Sequence, residues 1–359
     1  MATSTAPRKT ITSPKTAISI PPLELTAQST LYTEFAADVD WIVNRLRADY
    51  STLPPAVKEV AKYYLHKRVH ALPPSAQGER AHPLVARPVP FLVFWFSKAF
   101  GLACRETQRQ LGLSVVYASL SVCASDDVLD GRAFAPREQT YLAYWFWDKY
   151  YRVFNDLFTS RSDIWYILAS CTAAWRRSDQ RSLALEATSG TAALSPRSLS
   201  LTSEYLRALM FPSLAAITLM SNKAHHLAVL RRFVWSYCVG FRIVDDLRDW
   251  RDDYERKNRR HSCVINLLLS KLKPKVRVTR NMLACLLSDE MVTREIYTAI
   301  EKYFLRARRE AEKLGADDVT RFVDEQLLGH QIELARLAQA RRALSEAVGT
   351  VLMAEQRGN

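Results

Sequence analysis

Glycine is scarce, with ten residues in a chain of 359, and nowhere do glycines cluster into a phosphate loop. That excludes both the P-loop and the dinucleotide fingerprint, whose backbone cradles need closely spaced glycines. Regular strand alternation is also missing, and the prolines gather near segment ends. The six cysteines (Cys104, Cys123, Cys171, Cys238, Cys263, Cys285) never adopt CxxC spacing. They read as small, mostly apolar-site residues of a reducing compartment, not as a disulfide frame or zinc site. No apolar run reaches the ~18 residues of a membrane span, the longest candidate, 91–104, being broken by Lys98. The first 22 residues carry Arg8, Lys9 and Lys15, no acid and no apolar h-region, so a secretory signal is not expected. Residues 1–28 read as a disordered tail, 29–359 as one all-helical domain, and the expected location is cytoplasmic.

Helical periodicity dominates what is present. It is clearest over residues 57–70, 91–104, 140–158, 227–257 and 317–353. With 48% hydrophobic residues the chain can bury a large core, and the expected fold class is all-α, a helical bundle around a central cavity. Residues 178–201, with Gly190 and Pro196, read as a loop between two halves. Net charge is +13, but the basic residues are spread along most helices, so no nucleic-acid partner is expected. The tightest basic group, Arg256, Lys257, Arg259 and Arg260, directly follows an acidic cluster, which suits a small anionic substrate better than a polymer. The alternative of a non-catalytic basic helical protein predicts salt-sensitive binding to RNA or anionic lipid that ignores metal chelation.

The acidic residues carry the chemistry. The first cluster is Asp126-Asp127-Val128-Leu129-Asp130, and the second runs Asp245-Asp246-Leu247-Arg248-Asp249-Trp250-Arg251-Asp252-Asp253. On a helix, Asp126, Asp127 and Asp130 fall within about 100° of one another, and Asp245, Asp249 and Asp253 fall within about 80°. Like charges at i,i+4 oppose helix formation by about 0.2–0.5 kcal/mol per pair, so a cation is expected to offset them. An acidic run is often only a solvated face. Here, however, the uncharged segments 111–125 and 233–241 lead into the two clusters, so both emerge from buried helices. Two carboxylate faces of this kind suit Mg²⁺, a hard ion that completes its octahedron with water and substrate phosphate. The implied substrate is a diphosphate.

At these residues the chain resembles the class I isoprenoid superfamily of prenyl diphosphate synthases, squalene/phytoene synthases and class I terpene cyclases. Asp126, Asp127 and Asp130 match its DDxxD pattern. Asp245, Asp246 and Asp249 resemble the second DDxxD of prenyl synthases. Asp245, Asp249 and Asp253 share the spacing of the cyclase NDxxSxxxE triad, and Leu247-Arg248-Asp249 with Asp252-Asp253 resembles the phytoene synthase LRDxxED segment. The basic GGKRxRP segment and the arginine pair of chain-elongating synthases are absent, Gly131-Arg132-Ala133-Phe134 following the first cluster instead. Cys123 stands where head-to-head synthases usually place an arginine.

The resemblance implies a Mg²⁺-dependent class I terpene synthase that ionises a linear allylic prenyl diphosphate and cyclises the cation; the alternative is a squalene/phytoene synthase-like or other prenyl transferase that condenses prenyl diphosphates. It assigns the metal, three Mg²⁺ ions, to Asp126, Asp127, Asp130, Asp245, Asp246, Asp249 and Asp253, with Asp126, Asp127 and Asp249 central to catalysis. Diphosphate contacts are expected from Arg197, Arg207, Arg242, Arg256 and Lys257, although Arg242 equally suits an i,i+4 pair with Asp246. Aromatic residues such as Trp95, Phe96, Trp145, Tyr166, Phe211 and Trp235 are candidates both for cation–π stabilisation and for ordinary core packing. A homodimer is left open.

Overall fold

The computed structural model describes residues 30–69, 89–129, 131, 133–187, 196–255, 262–272 and 278–357, and no strand occurs among them. The helices are α1 (Thr30–Thr33), α2 (Ala36–Ser51), α3 (Pro55–Val69), α4 (Val89–Phe100), α5 (Arg105–Leu129), α6 (Pro136–Leu157) and α7 (Ile164–Ala187). They continue with α8 (Pro196–Met220), α9 (Leu227–Glu255), α10 (Cys263–Ser270), α11 (Arg280–Ser288), α12 (Glu290–Lys313) and α13 (Asp317–Arg357). The expected tail, 1–28, lies outside the described residues.

Local chemistry sets the boundaries. α4 stops at Phe100, short of the expected 104, because Gly101 adopts φ +76° and the Leu102 N–H turns back to the Ser97 carbonyl at 2.9 Å. α6 starts at Pro136, earlier than expected, because proline suits the first helical position, where its missing N–H costs nothing. The expected loop over 178–201 is corrected: α7 runs through Ala187 and α8 begins at Pro196, with only 188–195 outside the described residues. Gln180, Arg181, Leu183, Ala184 and Glu186 are strong helix formers, and they outweigh the polarity of the segment.

One contiguous core extends from Leu31 to Leu327. α4 lies at its centre, packing on α5, α8 and α13. Trp95 and Phe96 are fully buried there, Trp95 against Phe322 and Phe96 against Phe233. At the outer layer, Asp38 of α2 is buried and accepts from Arg105 Nε at 2.7 Å and Arg109 Nε at 2.9 Å, tying α2 to the start of α5. α5 has the length and hydropathy of a membrane span, but 78% of that window is buried inside the bundle, the mark of a core helix. Cys123, Cys171, Cys238 and Cys263 are buried thiols, whereas Cys104 and Cys285 are exposed.

Helix direction decides where the acidic clusters meet. At the end of α4, Phe100 stacks on His226, which leads into α9, and Phe96 meets Phe233, so α4 and α9 run antiparallel. α5 starts just past the same end of α4 and folds back along it, Arg105 lying over Phe94 at 5.7 Å. α5 and α9 therefore begin together and run the same way, while α8 packs against both. At about 1.5 Å per residue, Asp126 and Asp245 lie roughly 30 Å from the starts of their helices, at one shared end of the bundle.

Candidate active site

On α9, the Cys238 thiol lies 3.8 Å from the Met210 sulfur of α8, which marks the side of α9 that faces α8. Helical periodicity returns Asp245 and Asp249 to that side, two and three turns farther on. Asp249 is exposed, and Asp245 and Asp253 are half-buried. Burial, reinforced by Asp246, Asp249 and Asp245 and opposed by Arg242, raises the Asp253 carboxyl to about 7. Without a cation, this face thus holds one carboxyl near half-protonation at neutral pH.

Asp246 is placed differently. It is 2% exposed and engages protein groups through both oxygens, pairing with Arg242 at 2.8 Å and accepting from the Cys263 N–H at 2.6 Å. Cys263 opens α10, so the carboxylate satisfies an otherwise orphaned N–H at a helix start and fastens α10 onto α9. Burial raises the Asp246 carboxyl, and Arg242 and Cys263 counter it. Of the two roles expected for Arg242, the structure contains the i,i+4 pair.

The first cluster divides in the same way. Asp126 is exposed in the last turn of α5, while Asp127 is 3% exposed and turned toward α3 and α6. The Tyr64 hydroxyl donates to Asp127 Oδ2 at 2.9 Å, Gln139 Nε2 donates to the Tyr64 oxygen at 2.7 Å, and Gln139 Oε1 accepts the Ala135 N–H at 2.9 Å. Burial, partly opposed by Gln139 and reinforced by Asp127, pushes the Tyr64 phenol well above its ordinary range, so it keeps its proton and donates. Sequence reasoning missed Tyr64 and Gln139. The only trace of them is Gln139 placed soon after Pro136, a spacing suited to reaching back to the start of a helix.

Asp130, Arg256 and Lys257 lie outside the described residues. Arg197 is in the first turn of α8, whose antiparallel course beside α9 puts that turn at the aspartate end. Arg207 pairs with Glu204 of its own helix at 2.5 Å, each side chain 13% exposed. Among the aromatic candidates, Trp95 and Phe96 belong to the core, and Tyr166 is 79% exposed.

Among the described residues no three Asp, Glu, His or Cys side chains converge to cage a cation unaided. Mg²⁺ does not need such a cage, since it is usually held by one or two carboxylates, water and substrate phosphates. The crowded carboxylates of α9, with Asp253 raised to about 7, fit that ion.

No family model matches the chain, and no curated protein matches it in sequence. Solved structures do match. A decaprenyl diphosphate synthase from Rhodobacter capsulatus superposes with a TM-score of 0.60 at 16% identity, over 83% of this chain and 97% of that one. A heptaprenyl diphosphate synthase from Staphylococcus aureus gives 0.61 at 11% identity, over 81% and 97%. A polyprenyl synthase from Caulobacter crescentus, solved with calcium and isoprenyl diphosphate, gives 0.60 at 13% identity, over 83% and 97%. The chain has the class I isoprenoid synthase fold. The three solved structures named above are a decaprenyl diphosphate synthase, a heptaprenyl diphosphate synthase and a polyprenyl synthase.

Proposed function

We propose that the chain is a Mg²⁺-dependent enzyme that ionises an allylic prenyl diphosphate and transfers the prenyl group to an acceptor, a prenyltransferase. The observation that carries this reading is the pair of aspartate faces on α5 and α9, brought to one end of the bundle by two helices that run in parallel. The names of the matched structures favour prenyl transfer over the cyclisation expected from sequence alone.

Asp126 and Asp130 would hold metal from the α5 side, and Asp245, Asp249 and Asp253 from the α9 side. Mg²⁺ bound there supplies charge neutralisation for the departing diphosphate. Asp127 and Asp246, buried and bonded to protein groups, fix the two helix ends. The apolar interior of the bundle keeps water from the allylic cation, which would otherwise be quenched.

Cyclisation is kept as a second reading on one observation: the residues after the first cluster, Gly131-Arg132-Ala133-Phe134, contain no arginine pair, and no GGKRxRP block precedes it. Incubation with farnesyl, geranylgeranyl or geranylfarnesyl diphosphate, with and without isopentenyl diphosphate and Mg²⁺, separates the two. Longer prenyl diphosphates formed only with isopentenyl diphosphate, or a joined product of two prenyl chains, support transfer. A cyclic hydrocarbon or alcohol from a single substrate replaces transfer by cyclisation. Asp126→Ala and Asp249→Ala are each expected to abolish turnover while leaving far-UV circular dichroism unchanged; activity retained in both would sink the mechanism.

A further inference from the structure

The hydrogen-bond chain behind the first aspartate cluster joins three helices, and its three side chains lie out of water. Tyr64 and Gln139 are each 0% exposed and Asp127 is 3% exposed. Its polarity is fixed at every step. Gln139 Oε1 accepts from the Ala135 backbone N–H at 2.9 Å, so the other end of that amide must be its NH₂ group, which donates to the Tyr64 oxygen at 2.7 Å. With its lone pair engaged there, the Tyr64 hydroxyl directs its proton to Asp127 Oδ2 at 2.9 Å. The backbone N–H that anchors the chain is at the start of α6, just past the segment that follows Asp130.

We propose that Tyr64 and Gln139 are positioning residues for the metal-binding end of α5. They orient the Asp127 carboxylate and, through it, the last turn of α5, which carries Asp126. The proposal rests on the Mg²⁺–diphosphate reading of the site. A chain of this kind does more than add stability, because a donor to a carboxylate beside a metal sets the angle at which the cluster meets the ion. Loss of such an outer partner typically weakens metal affinity by about 10–100-fold. Tyr64→Phe removes the donor to Asp127. Gln139→Glu acts differently: it keeps an acceptor for Ala135 but offers Tyr64 a second acceptor, drawing its proton away from Asp127. The two substitutions therefore break the same bond by opposite routes.

The test is Mn²⁺ binding to the full-length protein in the presence of inorganic pyrophosphate, followed by electron paramagnetic resonance and without any turnover. The Mg²⁺ dependence of activity is measured alongside. Both variants are expected to bind Mn²⁺ about 10-fold more weakly, and to need correspondingly more Mg²⁺ for half-maximal rate, with kcat at saturating Mg²⁺ much less affected. Wild-type Mn²⁺ affinity in either folded variant overturns the positioning role while leaving the functional reading intact. Failure of the wild-type protein itself to bind Mn²⁺ with pyrophosphate overturns the functional reading, and the proposal with it. If Tyr64→Phe does not fold, Gln139→Glu alone decides the matter.

Discussion

In both aspartate pairs the second residue is the more deeply buried. Asp127 and Asp246 are 3% and 2% exposed and accept from protein donors, whereas Asp126 is exposed and Asp245 half-buried. Adjacent residues on a helix point about 100° apart, and in both pairs here that step carries the second carboxylate toward the packed face. Asp253 is the residue whose titration follows from this crowding. Its carboxyl is raised to about 7, chiefly by burial, from an ordinary value near 4 when unfolded. An acid raised on folding costs the metal-free protein nothing below the unfolded value, since both states are then protonated. The cost grows as pH climbs from about 4 and is complete above about 7, where the folded carboxyl must also ionise. Asp253→Asn is therefore expected to stabilise the metal-free protein at pH 8 and to have little effect at pH 4. Thermal unfolding of both proteins across that range checks it, and a gap independent of pH would remove Asp253 as the cause. Because metal binding needs the ionised carboxylate, Mg²⁺ affinity should rise over the same interval in the wild-type protein.

At the scale of elements, the contrast between Asp246 and Asp249 separates holding the fold from holding the ion. Asp246 joins α9 to the start of α10 and neutralises the 16%-exposed Arg242 side chain. Removing one partner of a buried pair leaves the other charge uncompensated, at about 3–5 kcal/mol. Asp246→Ala is thus expected to lower unfolding stability by about 3 kcal/mol, and Asp249→Ala, at an exposed position, by less than about 0.5 kcal/mol. Urea unfolding without metal measures both, and equal losses would refute the division. The same contrast shows what a linear reading can reach. Several of the long helices were legible, because a 3.6-residue period is a local pattern. The partners of Asp127 were not, since Tyr64 and Gln139 lie 63 and 75 residues from their respective partners, Asp127 and Tyr64, and nothing in either residue's neighbourhood points to the other. Helix ends were less legible: Gly101 stops α4 before the expected 104, Pro136 starts α6 before the expected 140, and the polar stretch after Ser178 continues α7 because its residues favour helix whatever their polarity.

For the whole molecule, what matters is that the two carboxylate faces belong to helices that meet chiefly through a third. α8 packs on both α5 and α9 and holds their acidic ends in register without joining them directly. No three carboxylates among the described residues form a cage for a lone cation. A cation alone therefore gains little, and pyrophosphate alone meets like charge. Together they bridge α5 to α9, so that binding one improves binding of the other. A ligand at about 100 times its Kd stabilises the folded state by about 2.7 kcal/mol, enough to raise Tm by a few degrees in a chain of this length. The expected pattern is little change with Mg²⁺ alone, none or a small fall with pyrophosphate alone, and a rise of a few degrees with both. Asp126→Ala and Asp249→Ala, on opposite sides of the site, should each abolish the joint rise, because a bridge needs both of its ends. A joint rise that survives either substitution would mean that the diphosphate binds on one helix only, and the two-faced site would have to be abandoned.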